Sequence, residues 1–230
     1  GVIGRVCITA GVLILLFVVY QLWGTGIREA QAQNRLEDEF AETLDESGTT
    51  TTTTGPPASA PPTTEVAPPP PEGDAVAQLR IPAIGVDKIV VEGVDVADLK
   101  KGPGHYPDSP LPGQPGNAAI AGHRTTYGAP FNRLDELEEG DEILVTTVQA
   151  SFRYDVREQL IVNPDQVEVL DDFGDSRLTL TACHPKYSAR QRIVVVAALQ
   201  GPAAPASPTP PPEVDTGDDG QESTATLDAG

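Results

Sequence analysis

The sequence predicts a mainly β domain, closed into a barrel, behind a single membrane-spanning helix. Three observations carry this reading. Between residues 76 and 200, short runs rich in β-branched residues recur, separated by Gly-Pro and Pro-Gly pairs. Only two stretches of that region carry helical signal, and both are short. Ahead of it, Val6 to Trp23 contains no charged residue, and extension to Gly26 reaches a bilayer-crossing length.

Residues 1–26 read as a transmembrane anchor with a short cytoplasmic end. Arg5 precedes the apolar run, Tyr20 and Trp23 sit where an aromatic belt forms, and acidic sequence follows. The N-terminus is therefore expected in the cytoplasm and the domain outside the cell. A cleaved signal peptide needs a shorter apolar core and a small-x-small exit. The run here is long and leaves through Gln21-Leu-Trp-Gly-Thr-Gly. Cys7 lies inside the anchor, so it cannot pair with Cys183, and Cys183 is expected to be a free extracellular thiol.

Residues 27–75 read as an acidic, Thr/Pro-rich stalk outside the membrane. Leu36, Phe40 and Leu44 recur every fourth residue, a narrow stripe for a helix continuing from the membrane. Six threonines at 49–54 and eight prolines between 56 and 71 then favour extended chain. Residues 76–200 form the folded domain. Strands are expected at Gln78–Pro82, Lys88–Glu92, Asn117–Ala121, Glu142–Thr147, Ser151–Val162, Arg177–Cys183 and Arg192–Leu199. Turns are expected at Gly140-Asp141 and Gln149-Ala150, and short helices near Ala97–Lys101 and Pro130–Leu137. Residues 201–230 carry six acids and no base and read as a disordered tail. The net charge of −19 owes more to the segments outside 76–200 than to the domain. Nucleic-acid binding, which needs a basic face, is excluded as the expected function.

The chemistry gathers at the end of the domain. Cys183 closes one predicted strand, and Arg192 opens the next, the apolar run Ile193-Val-Val-Val-Ala197. Packing does not explain an Arg leading into a buried strand. A thiol and a guanidinium on adjacent strands suit acyl transfer through a thioester. His123, at the exit of the apolar run Asn117-Ala-Ala-Ile-Ala121, is the candidate acid and base. His184 follows the thiol directly and points to the opposite face of a strand. His105, in Gly102-Pro-Gly-His-Tyr-Pro, reads as a turn residue at a surface or groove. Arg190 competes with Arg192 as the cation; Arg192 abuts the strand and is better anchored. The His/Cys spacing fits no metal-ligand pattern, and no cofactor is expected.

Ala121-Gly-His123-Arg, Thr179-Leu-Thr-Ala-Cys183 and Arg192-Ile-Val-Val-Val-Ala together resemble the sortases, the membrane-anchored cysteine transpeptidases of Gram-positive bacteria. Cys183-His-Pro-Lys-Tyr-Ser and Gly122-His-Arg-Thr-Thr-Tyr-Gly look most like their class E branch. The resemblance covers about 76–200. It implies an eight-stranded barrel with Cys183 as nucleophile, His123 as acid and base, and Arg192 as oxyanion stabiliser. It also implies cleavage of a C-terminal sorting signal, Leu-Ala-x-Thr-Gly or Leu-Pro-x-Thr-Gly, between Thr and Gly. The implied partners are surface proteins bearing that signal and a peptidoglycan precursor amine; a monomer is expected. Tyr106, Thr181, Ala182 and Arg190 are the candidate substrate contacts. Ala182 stands where the family usually has Thr, and loss of that hydroxyl is expected to reduce or alter activity. The alternative is a weak or inactive membrane-tethered peptide-binding module.

Overall fold

The computed structural model describes residues 1–19, 25–49 and 69–201. Its strands are β1 (Ala75–Ile81), β2 (Val86–Glu92), β3 (Gly104–His105), β4 (Gly116–Gly122), β5 (Glu142–Thr147), β6 (Ser151–Val162), β7 (Ser176–His184) and β8 (Gln191–Gln200). They close into a barrel in the order β1-β2-β3-β4-β7-β8-β6-β5. Neighbours are antiparallel except β2–β3 and β4–β7, which are parallel. The helices are α1 (Val2–Val19), α2 (Thr25–Thr49) and the single turn α3 (Val96–Leu99).

The period-2 alternation that marks these strands is what fills the barrel. Ile143, Val145 and Thr147 of β5 turn inward while Glu142, Leu144 and Thr146 are half-exposed. On β7, Leu178, Leu180 and Ala182 enter the core and meet Leu79, Ile81, Ile120, Phe131 and Ile193. Tyr154 is buried among them. Its hydroxyl accepts a 2.6 Å hydrogen bond from the Gly113 N–H, and burial pushes its phenol up to about 12. The seven strands expected from sequence are β1, β2 and β4 through β8. Around Pro130–Leu137 the helical element is a 3-10 turn at Leu134–Glu136, and near Ala97–Lys101 it is α3.

β3 and its histidine were not anticipated. His105 occupies no exposed turn: it lies in β3 and is 1% exposed. Burial is possible because both ring nitrogens find partners. Nδ1 is 2.8 Å from Glu92 Oε2, and Nε2 lies 3.0 Å from the Pro110 carbonyl and 3.1 Å from Ser109 Oγ.

Among the described residues, no helix is long and apolar enough to cross a membrane. The apolar stretch read from sequence runs on through residues 20–24, which lie outside the described residues, as do 50–68 and 202–230. The segment read as a stalk begins with α2, and α2 lies on the barrel. Leu36 and Phe40 pack on Ile89 and Val91, with Leu44 alongside. The narrow stripe is thus an interface.

Candidate active site

Register brings the three predicted catalytic residues to one end of the barrel. Cys183 of β7 pairs directly with Arg192 of β8. Cross-strand partners share a face, so thiol and guanidinium stand on the same side. β4 and β7 run parallel, with Gly122 opposite Ala182, so His123 is one residue further on, level with Cys183. The alternation that sends Leu180 and Ala182 into the core turns Thr181 and Cys183 to the outer face. Cys183 is half-buried and unbridged.

Each member is held locally. Arg192 Nη1 donates to the carbonyls of Ala189 and Gln191, at 3.0 and 3.1 Å, fixing one edge of the guanidinium against its own turn. His123 leaves β4 just after Gly122, where any Cβ would overlap the Phe131 ring. The Phe131 N–H closes the loop onto the His123 carbonyl at 3.1 Å. The Tyr127 ring lies 5.1 Å from the His123 ring, and Lys100 Nζ sits 5.7 Å from the Tyr127 centroid. Burial, and then the Lys100 charge, lower the His123 pKa below 6.5. His123 Nε2 is buried and without a hydrogen-bond partner among the described residues.

A groove of about 120 Å³ runs over the outer face beside this end. Arg192, Val194 and Thr181 form its floor, Tyr106 one wall, and residues 162–170 the other. Asn117 anchors that second wall, donating through Nδ2 to the carbonyls of Val169 and Asp171 at 3.0 and 3.1 Å. Tyr106 Oη lies 3.2 Å from Thr181 Oγ1 across the groove. The structure thus brings Tyr106 and Thr181 to Arg192. It does not bring Ala182 or Arg190 there. Ala182 is buried with its side chain in the core, and Arg190 is exposed in the turn before β8. Among the described residues, no group of three or more His, Cys, Asp or Glu side chains is placed to hold a metal.

Sequence reasoning missed the supports. Arg124, 2% exposed, donates through Nε to the Asn132 carbonyl at 3.0 Å and pairs through Nη2 with Asp135 at 2.8 Å. Asn132 Nδ2 donates back to the Arg124 carbonyl at 2.9 Å. Lys186, three residues past the thiol, lies 3.8 Å from the same Asp135. One carboxylate therefore links the histidine loop to the cysteine loop. The only sequence signal was a base directly after His123, and an exposed base reads the same way.

The model of the sortase domain matches residues 79–200. Sortase SrtE1 of Streptomyces coelicolor is 35% identical over 84% of this chain, and SrtE2 of the same organism is 30% identical over 85%. The alignments span 55% of SrtE1 and 79% of SrtE2. A solved Clostridium perfringens sortase D5 transpeptidase superposes with a TM-score of 0.60 at 28% identity, over 74% of this chain and 99% of that one.

Proposed function

The chain belongs to the sortase family of transpeptidases, with class E members among its relatives, and on that premise we propose that it sorts surface proteins to the cell wall. The apolar stretch of residues 1–26 anchors it in the cytoplasmic membrane with the barrel on the wall side. Its substrate is a C-terminal Leu-Ala-x-Thr-Gly or Leu-Pro-x-Thr-Gly signal, and its acceptor is an amine of a peptidoglycan precursor. The observation that carries the reading is the register: Cys183 opposite Arg192, His123 level with both, and a groove lined by Arg192 beside them.

The chemistry follows from the three groups. The Cys183 sulfur, as thiolate, attacks the Thr carbonyl carbon, and the carbonyl oxygen takes up the negative charge. Arg192 donates to that oxygen, an interaction stronger in the transition state than in the ground state. The C–N bond to Gly then breaks, His123 gives its proton to the departing amine, and a thioester remains. An incoming amine gives its proton to His123 as it attacks the thioester, and Cys183 leaves. The lowered His123 pKa makes the imidazolium a stronger acid, which favours transfer of its proton to the departing amine. Thr181 and Tyr106 line the path of the peptide leading to Cys183.

Incubation of the protein with both signal peptides and diglycine tests this. The expected product carries diglycine in place of the original Gly. Its formation is lost in Cys183→Ala and His123→Ala, and the better peptide gives the Ala or Pro preference. Binding of either peptide without product would favour the peptide-binding module instead.

A further inference from the structure

Helix α2 carries mostly solvated acids, yet two of its polar residues are buried. Glu29 is 2% exposed and Gln33 3%. Buried polar groups need partners, and these two have them on the barrel. β2 pairs with β3 only at Val91 and Glu92, so the edge of β2 at Ile89 is left open. Gln33 completes it as a strand would: Oε1 accepts from the Ile89 N–H at 2.8 Å, and Nε2 donates to the Ile89 carbonyl at 3.0 Å. The same Nε2 donates to the Lys101 carbonyl at 2.9 Å. Glu29 pairs with Lys88 Nζ at 2.6 Å. Its carboxylate also lies over Gly128, where any Cβ would overlap it.

These contacts converge on the histidine loop. Tyr127, Gly128 and Ala129 have φ of 49°, 71° and 44°, three consecutive left-handed residues, two of them not glycine. Such backbone costs about 1–3 kcal/mol per non-glycine residue and persists only where surroundings hold it. Glu29 covers the middle residue. Gln33 holds Lys101, and its neighbour Lys100 lies over Tyr127, whose ring faces His123. One helix therefore supports the loop from two sides.

We propose that α2 is a positioning element of the active site, with Glu29 and Gln33 setting the place of His123 through the 126–129 turn and the Lys100–Tyr127 pair. The inference rests on the transpeptidase reading and deepens it. The segment that leads away from α1 is thereby part of the machinery that presents the histidine.

The test uses the full chain in detergent, comparing Glu29→Ala, Gln33→Ala and Leu36→Ala. Leu36 belongs to the same interface, in a cluster with Phe40, Ile89 and Val91 that holds no residue of the histidine loop. The proposal expects kcat for peptide transfer to fall roughly ten- to hundredfold in the first two, from misplacement of a catalytic group. KM changes by less than about twofold, because the groove is untouched. Leu36→Ala lowers Tm and keeps kcat. Glu29→Gln, which keeps the shape over Gly128, restores most of the rate. If Glu29→Ala does not fold, Glu29→Asp withdraws the carboxylate from Gly128 while keeping its charge and gives the same reading. A kcat that follows Tm across the whole set, or that is unchanged in Glu29→Ala and Gln33→Ala, overturns the proposal. The His123 imidazole NMR resonances give a readout independent of any peptide. They shift in Glu29→Ala and stay in Leu36→Ala if α2 positions the ring. Should the wild-type chain accept neither signal peptide, the transpeptidase reading fails, and the resonances still decide the role of α2.

Discussion

In the proposed mechanism His123 carries the proton, and its surroundings oppose its positive charge. Burial removes water from the imidazolium, and Lys100 repels it, so the ring gives up its proton more readily than a free histidine. Removing Lys100 relieves one of the two causes. Lys100→Gln is therefore expected to raise the His123 pKa, moving its NMR titration to higher pH; an unchanged or lower midpoint would count against the Lys100–Tyr127–His123 arrangement. The same shift has a stability consequence. The unfolded chain takes up the histidine proton at about 6.5 and the folded chain only at lower pH. The stability contributed by this group is present above 6.5 and declines as pH falls below it. The loss is complete once pH has dropped through the folded pKa. Arg192 is the second residue-scale test. Removing one preorganised oxyanion donor costs about 10²–10³ in kcat. Arg192→Ala is expected to fall in that range while Cys183 still reacts with iodoacetamide. Arg192→Lys keeps the charge and loses the planar fork, so only partial recovery is expected.

At the scale of elements, the readable parts of the sequence were those whose signal is local. β5 and β6 were legible because alternation runs through Glu142–Thr147 and Ser151–Val156 and a turn separates them. β7 and β8 were legible from their apolar runs, and register then placed Cys183 opposite Arg192. β3 was not legible. It is two residues long, in a Gly- and Pro-rich stretch, and exists only because Glu92 and Ile120 lie beside His105 in the fold. The docking of α2 was hidden for a similar reason. Three apolar residues gave a weak stripe, and the other docking residues, Glu29 and Gln33, look solvent-facing until their partners are in place. The far groove wall, residues 162–170, is largely irregular and carries no periodicity to read. Two measurements follow. Leaving a buried polar group without its hydrogen-bond partner costs about 1–3 kcal/mol, so Glu92→Ala, which strips His105 Nδ1 of its partner, is expected to lower unfolding free energy by that order in denaturant titration. Phe40→Ala is expected to cost about 3–5 kcal/mol in the same assay. A surface-like effect below about 0.5 kcal/mol for Phe40→Ala would mean that α2 does not rest on the barrel in solution.

For the whole molecule, the docked helix changes what the N-terminal segments do. Helix α2 packs on the barrel rather than standing apart from it. The span from Val19 to Thr25 is six residues, a reach of at most about 22 Å. Glu29 follows within about one helical turn and touches the histidine loop. With the apolar stretch of residues 1–26 in the bilayer, as proposed, the histidine end of the barrel is tethered close to the membrane surface. That placement suits a substrate whose signal emerges from the same membrane. The central claim is that Cys183 carries the acyl group between signal and acceptor. Intact-mass spectrometry of the full chain with a Leu-Ala-x-Thr-Gly peptide tests it most directly. The account predicts a mass gain equal to the peptide through Thr, located on Cys183, absent in Cys183→Ala and discharged by diglycine. No adduct with either the Ala or the Pro signal, while Cys183 remains open to iodoacetamide, would contradict it.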